Sequence, residues 1–292
     1  MINIENKSAY PYITKFKKKP FKSFVLVKRK DIGRFYVRDY NKLIDFFNYF
    51  NKNLLNEHNL TLENVFWFTL IKKYLKEEKK KERDGLFSFI KKCEVRVDEQ
   101  LGFKLSPHPQ KHPDIYSTFL ALSSLKNLGV LNEYFALEGQ SHIKEEIKNF
   151  ILSHKKGNVF LHCHDKACEI CKSISPARTL FYVMEIFTLL GVDVRNSREQ
   201  FRLLIGDTKK KNNQLIYKFL CLKYLDLESE VKEKEFQNLY QFQKETGGYG
   251  FNQTENLDDT FWIVYTLNLY SWLMDYNPSG VYSYINIKLN EI

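Results

Sequence analysis

The fold is decided by the stretch Gln243-Lys-Glu-Thr-Gly-Gly-Tyr-Gly250, which is followed after a short loop by Asp259-Thr-Phe-Trp-Ile-Val-Tyr-Thr-Leu-Asn-Leu269. The pair Gly247-Gly248 supplies the left-handed turn that lets a chain reverse at the end of a helix. Asp259 suits the start of the next helix, because its carboxylate accepts backbone N–H bonds and matches the helix dipole. The stretch therefore predicts a helical hairpin that consists of a helix end, a Gly/aromatic turn, a loop and a new helix.

The same pattern recurs in two other places. Gln100-Leu-Gly-Phe103 precedes a Pro/His loop and a helical pattern that starts at Asp114. A degenerate copy runs from Gly157 to Phe160, continues through a Cys/His loop and starts a helix at Pro176, where proline loses no hydrogen bond. Repeated helical hairpins need their neighbours to bury a continuous core. We therefore expect inner helices that open near Asp114, Pro176 and Asp259 and point the same way.

These residues resemble the α/α toroid superfamily, which includes squalene–hopene-type and plant class II terpene cyclases, protein prenyltransferase β subunits and complement-type thioester domains. The resemblance rests on Gln243-x3-Gly-Gly-Tyr-Gly with Asp259-Thr260, and on Gln100-x-Gly-Phe with Asp114-x-Tyr-Ser-Thr. It covers roughly residues 95–275. It implies an all-α fold, an α/α toroid of repeated helical hairpins, with an isoprenoid or isoprenoid diphosphate as the expected ligand of a central cavity.

The family's catalytic residues do not transfer to this chain. In proton-initiated cyclases the first Asp of an Asp-x-Asp-Asp-Thr motif is the acid, and the matching residue here is Asn256, whose amide cannot donate a proton in that way. Protein prenyltransferases hold zinc with an Asp, a Cys two residues later and a His in a later repeat, and the matching positions here lack both the Cys and the His. A Gly-Cys-Gly-Glu-Gln thioester segment is also missing from the sequence. The catalytic residues are therefore unknown, and transferase activity stays an open question.

The Cys/His loop predicts a zinc site. Cys168-x2-Cys171 has the spacing of a zinc knuckle, and thiolate and imidazole are ligands that zinc prefers. Two further ligands would come from His162, Cys163 and His164, either as Cys163 with an outside ligand or as the two histidines together. Four protein ligands would make the site structural, which we favour, and three would leave it open for catalysis. The alternatives are reduced thiols without metal and a redox pair.

A second candidate site is the first turn of the helix that begins at Pro176. Arg178 could bind a diphosphate through two parallel N–H bonds, although a surface salt bridge is the simpler interpretation. The aromatic fraction of 15% fits a cavity that holds an apolar isoprenoid chain, and it fits a filled aromatic core equally well. We name as candidate substrate-binding residues Arg178, Tyr116, Tyr249, Asp259 and Trp262, with helix capping as the alternative role of Asp259.

Both ends of the chain carry short strand-like patterns. Residues 23–38 hold two β-prone runs around a Gly-containing turn, and residues 281–289 alternate like a strand. We expect these two segments to supply the only strands, as a small peripheral β element from the termini. Because no Pro/Gly/Ser-rich linker interrupts the chain, we predict a basic N-terminal segment over 1–39 and a single toroid domain over 40–292.

Charge and composition limit the class of protein further. The formal charge of +10 comes mostly from Lys15–Lys30, which holds eight Lys and Arg residues and no acid. Such a segment could contact anionic membrane lipids or serve only for solubility, whereas nucleic-acid binding is not favoured. With 43% hydrophobic residues, five cysteines and no apolar leader, the chain is expected to be a globular cytoplasmic protein with reduced thiols.

Two functional hypotheses follow. The first is a prenyltransferase- or terpene-cyclase-like toroid that binds an isoprenoid or isoprenoid diphosphate, with zinc at the Cys/His loop and a helical partner subunit as an open requirement. The alternative is a non-catalytic, zinc-stabilised toroid that binds a protein or a membrane surface. An aromatic pocket that reaches the Cys/His loop would favour the first hypothesis.

Overall fold

A computed structural model describes residues 13–15, 25–29, 33–37, 60–75, 80–108, 112–136, 142–165, 168, 174–206, 212–251, 257–270, 281 and 284. The chain divides into two compact units, residues 54–230 and residues 1–53 together with 231–292. The predicted single domain over 40–292 stays a prediction.

The N-terminal residues form a three-stranded antiparallel sheet from β1 (Ile13–Lys15), β2 (Val25–Arg29) and β3 (Gly33–Val37). The pairing of β2 with β3 confirms the hairpin predicted for residues 23–38. The prediction of a strand over 281–289 is wrong at Val281 and Tyr284, because both residues are helical. Both side chains are buried, and residues three apart lie on one face of a helix, so the apolar pattern also fits that structure.

In its described part, the unit of residues 54–230 consists mainly of helices. Its helices are α1 (Leu62–Leu75), α2 (Lys80–Lys92), α3 (Ile115–Asn127), α4 (Leu131–Phe135), α5 (Ile143–Ser153), α6 (Pro176–Leu190), α7 (Arg198–Gly206) and α8 (Asn212–Tyr224). Helix α1 packs on α3, α3 packs on α6, and α6 packs on α8. The residues of α3 and α6 are buried on nearly all sides, as expected of helices that lie inside a helical array.

The first turns of α3 and α6 are fixed by their caps. Asp114 is the N-cap of α3, and its carboxylate accepts the backbone N–H of Ser117 at 2.7 Å. Ser175 caps α6, whose first residue is Pro176, as the sequence predicted for a helix start. Tyr116 contacts Arg178, and three residues later Phe119 stacks on Tyr182. Contacts that advance together along both helices show that α3 and α6 point the same way, as predicted.

Two short hairpins within this unit were not predicted. Strand β4 (Glu94–Val97) pairs with β5 (Gln100–Phe103), and β6 (Lys155–Lys156) pairs with β7 (Val159–Phe160). The prediction that strands come only from the termini is therefore wrong. Strands of two to four residues are too short to show an alternating pattern, and both coincide with Gly/aromatic turns of the repeat.

The C-terminal part of the other unit, residues 231–292, contains α9 (Glu233–Gln237) and α10 (Leu257–Leu269). The left-handed turn predicted for the Gly pair is present, since Gly247 has a φ of 92°. Helix α10 begins at Leu257 instead of Asp259, so Asp259 lies in the first turn of the helix and is not its cap. Within the described ranges, no helix combines the length and the apolar character that a membrane span requires.

Candidate functional site

The Cys/His loop brings three ligand-type side chains together. Nitrogen and sulfur atoms of His162, Cys163 and Cys168 all lie within 4.8 Å of one another. The loop starts directly after β7 and turns tightly, with the backbone N–H of Cys168 donating to the carbonyl of Asp165 at 3.2 Å. This turn allows two adjacent residues to share one site with Cys168. Cys171, predicted as the partner of Cys168, lies outside the described residues.

His162 is the most constrained member of this group. Its side chain is 2% exposed, and Nε2 lies 3.3 Å from Oδ1 of Asp114. Neither ring nitrogen has a hydrogen-bond partner in the described part of the chain. The backbone is held as well, because the N–H of Ile115 donates to the carbonyl of His162 at 3.0 Å. The ring is thus fixed against the start of α3, with one or both nitrogens available to a bound ion.

His164, two residues later, lies in a different environment. Its ring lies tilted against that of His154 with centroids 4.0 Å apart, and its Nε2 lies 3.3 Å from Oγ of Ser153. Nδ1 of His154 lies 2.7 Å from the carbonyl oxygen of Phe150. Burial lowers the pKa of His154 to about 4, so its ring is neutral near pH 7. The geometry matches neither of the two ligand arrangements predicted from the sequence: it groups the adjacent residues His162 and Cys163, and it places His164 against the end of α5.

Arg178 lies among three tyrosines. Its guanidinium carbon is 5.7, 5.6 and 5.3 Å from the ring centroids of Tyr116, Tyr182 and Tyr217, respectively. Its Nε–H donates to the hydroxyl of Tyr182 at 2.6 Å. The structure therefore brings together Arg178 and Tyr116, both named from the sequence, and adds two residues that sequence reasoning missed. Tyr182 follows Arg178 by four residues and could have been found from helical spacing. Tyr217 belongs to α8, and the sequence carries no signal for it.

Further aromatic rings continue from this cluster into the unit. The ring of Tyr182 stacks on Phe119 at 4.7 Å, and Phe119 contacts Phe66 at 5.6 Å. All three rings are buried. At this level of the unit, the aromatic residues of α1, α3 and α6 thus pack on one another.

The other three candidate substrate-binding residues belong to the second unit. Tyr249 donates its backbone N–H to Oγ1 of Thr260 at 2.9 Å, and Phe251 donates its N–H to Oδ2 of Asp259 at 3.2 Å. The Asp-Thr pair at the start of α10 therefore braces the Gly/aromatic turn. Trp262 makes edge-to-face contacts with its neighbours Phe261 and Tyr265, at 5.1 and 5.9 Å.

The metal-ligand cluster and the Arg178 cluster meet at one helix end. Asp114 faces His162, and Tyr116, two residues further along the same first turn, faces Arg178. The N-terminal ends of α3 and α6 lie together here. The carboxylate of Asp114 already caps α3, whereas α6 is capped by the neutral Ser175, so the positive dipole end of α6 favours a bound anion. The arrangement places a cation, hydroxyl groups and two helix N-termini beside a group of soft metal ligands.

Comparison with known proteins identifies the class. Residues 39–209 and 201–289 match the model of the prenyltransferase alpha-alpha toroid domain, so the chain belongs to this family. The predicted α/α toroid fold is confirmed. The structure is similar to Candida albicans protein geranylgeranyltransferase-I complexed with GGPP, with a TM-score of 0.57 and 17% identity over 83% of this chain and 80% of that chain. The search of curated protein sequences returned no match.

Proposed function

We propose that this protein binds a prenyl diphosphate and that Arg178 is the residue that holds the diphosphate. One observation supports the proposal above the others: a half-buried arginine lies among Tyr116, Tyr182 and Tyr217 at the paired N-termini of α3 and α6. The N-terminus of α6 and a guanidinium favour an anion, and the neighbouring aromatic faces favour an apolar chain. Membership of the prenyltransferase toroid family makes an isoprenoid the expected apolar group.

The second part of the proposal is zinc at the Cys/His loop. His162, Cys163 and Cys168 supply one imidazole and two thiol groups within 4.8 Å of one another, and this donor set suits zinc better than magnesium or calcium. Cys171 remains the predicted fourth ligand. With four protein ligands the ion would hold the loop against the start of α3, beside the proposed diphosphate site.

Binding measurements with three related ligands test the first part. We expect zinc-loaded protein to bind geranylgeranyl diphosphate more tightly than inorganic diphosphate, because the prenyl chain adds apolar contact. Arg178→Gln should weaken the binding of both diphosphates about tenfold or more, since a hydrogen bond to a charged group contributes about 1.5–3 kcal/mol. Binding of geranylgeraniol should change little. Isothermal titration calorimetry measures all three.

A matched control is Arg195→Gln. Arg195 is an exposed arginine that pairs with Asp193 at 2.8 Å and Asp226 at 3.4 Å, so its loss should leave ligand binding unchanged. Equal affinities of wild type and Arg178→Gln for geranylgeranyl diphosphate would contradict the role of Arg178. Absence of prenyl binding, together with intact zinc binding, would instead favour the non-catalytic binding module.

Partner, membrane contact and location stay predictions. Most of the basic segment Lys15–Lys30 lies outside the described residues. The presence of a helical partner subunit is tested by co-purification from the native source followed by light scattering. Membrane contact is tested by co-sedimentation with vesicles that contain phosphatidylserine. Cytoplasmic location is tested by fractionation of cells. Each experiment can fail without affecting the prenyl-binding proposal.

A further inference from the structure

We infer that Asp114 is the positioning residue of the metal centre: it holds Nε2 of His162, so that the ion binds to Nδ1 of the same ring. The inference rests on the zinc site proposed above and adds how its histidine is oriented. It also assigns to Asp114 a role beyond capping α3.

The first argument is the hydrogen-bonding capacity of a buried imidazole. A neutral ring has one N–H donor and one lone pair, and burying either without a partner costs free energy. The side chain of His162 is 2% exposed, and in the described residues neither nitrogen has a hydrogen-bond partner. A metal ion on one nitrogen would satisfy it, and an N–H on the other nitrogen, turned toward a nearby carboxylate, would satisfy the second, which is the common arrangement around metal-bound histidines.

The second argument concerns which ring nitrogen of His162 faces which partner. Oδ1 of Asp114 lies 3.3 Å from Nε2. Among the described residues, the set of ligand-type atoms that are mutually within 4.8 Å contains His162, Cys163 and Cys168, and Asp114 does not belong to it. The carboxylate is therefore placed beside the ring and apart from at least one sulfur. With Nε2 taken by Asp114, Nδ1 is the nitrogen left for the ion that the sulfurs share.

The third argument is that Asp114 is itself held rigidly. Its Oδ1 accepts the backbone N–H of Ser117 and its Oδ2 accepts the hydroxyl of Ser117, each at 2.7 Å. The backbone N–H of Asp114 donates to the carbonyl of Phe103 at 3.1 Å. On the other side, the carbonyl of His162 accepts the N–H of Ile115. A carboxylate anchored in this way can fix the tautomer of the ring as well as its orientation.

The test separates positioning from helix capping. Asparagine is as good an N-cap as aspartate, so Asp114→Asn should keep α3 intact while it removes the carboxylate charge that faces His162. We expect the affinity for zinc alone, measured by competition with a chromophoric chelator, to fall about 10- to 100-fold. Asp193→Asn is the matched control, because Asp193 caps a 3₁₀ turn on the surface and accepts the N–H of Arg195 at 3.0 Å. The zinc affinity of Asp193→Asn should equal that of wild type.

A spectroscopic measurement on wild type keeps the inference testable if the variant folds poorly. In protein labelled with ¹⁵N-histidine, zinc should shift the signal of Nδ1 of His162 and leave Nε2 protonated, with His162→Gln used for assignment. Zinc on Nε2, or an affinity of Asp114→Asn within twofold of wild type, would overturn the role of Asp114 and leave the zinc site standing. Wild type with less than about a tenth of an equivalent of bound zinc would overturn both.

Discussion

The turns at Gly102-Phe103 and Gly248-Tyr249 are braced in the same way, although they belong to different units. In each, an aromatic ring covers the glycine: a Cβ atom would lie 2.5 Å from the ring of Phe150 in the first turn and 2.7 Å from the ring of Tyr284 in the second. In each, the next residue donates its backbone N–H to a threonine hydroxyl of the following helix, Thr118 at 3.1 Å or Thr260 at 2.9 Å.

The third copy, Gly157–Phe160, differs on both points. Among the described residues, no atom lies within 4 Å of the place where a Cβ of Gly157 would be. The matching Thr179 donates its hydroxyl to the carbonyl of Ser175 at 3.4 Å, within its own helix end. This copy is also the one that continues into the Cys/His loop. If zinc binds this loop as proposed, the metal would take over the bracing that rings and threonine provide in the other two copies.

Removal of the metal should have the largest effect. If zinc binds the folded loop alone, it stabilises the protein by about 4 kcal/mol at a free concentration of 1,000 times Kd. The free energy of unfolding of zinc-loaded protein should therefore fall by that amount after dialysis against a chelator, as measured by urea titration. Cys168→Ser should unfold like the chelated wild type. A chelator that leaves the unfolding curve unchanged would show that the third copy needs no metal brace.

Substitution of the two glycines that are covered by aromatic rings should have the next largest effect. Gly102→Ala and Gly248→Ala force a methyl group into Phe150 and Tyr284, and such overpacking costs about 1–3 kcal/mol. Gly85→Ala is the control, because it lies in α2 with no atom within 4 Å of an added Cβ, and should gain up to about 1 kcal/mol from helix propensity. If Phe150 is the obstacle, Phe150→Leu should recover part of the loss caused by Gly102→Ala.

The threonine substitutions should have an effect of at most the same size, and it should be equally selective. Thr118→Val and Thr260→Val leave a buried backbone N–H without its acceptor, at a cost of about 1–3 kcal/mol. Thr179→Val should cost less, since no backbone N–H depends on its hydroxyl in the described hydrogen bonds. Unfolding of the three variants in urea gives the comparison. Equal losses at all three positions would mean that the third copy is braced like the others.

The smallest effect is expected at Gly157, where the backbone and not the packing requires glycine. Its φ is 57°, and an alanine in this left-handed region costs about 1–2 kcal/mol. Asparagine tolerates the same region, so Gly157→Asn should cost only a few tenths of that. At Gly102, alanine and asparagine should not differ in this way, because the Cβ of either residue meets Phe150. Melting curves of the four variants decide whether the two glycines are kept for different reasons.

Much of the fold followed from local signals. The caps at Asp114 and Pro176 and the left-handed turn at Gly247 involve residues within a few positions of one another, so the sequence expressed them directly. Prediction was wrong where a pattern of only a few residues had two solutions. Val281 and Tyr284 fit a strand by alternation and a helix by their spacing of three, and packing settled the choice.

The sequence by itself determined the class of protein, the repeat, the ligand-rich loop and the arginine at the start of α6, because residue type and spacing are written along the chain. Only the tertiary structure decided that Tyr217 joins Arg178, that Asp114 faces His162, and that Phe150 covers Gly102. Each of these pairs is separated by 39 or more positions in the chain. Their contacts arise from the packing of whole helices and hairpins, and no local preference of either residue encodes them.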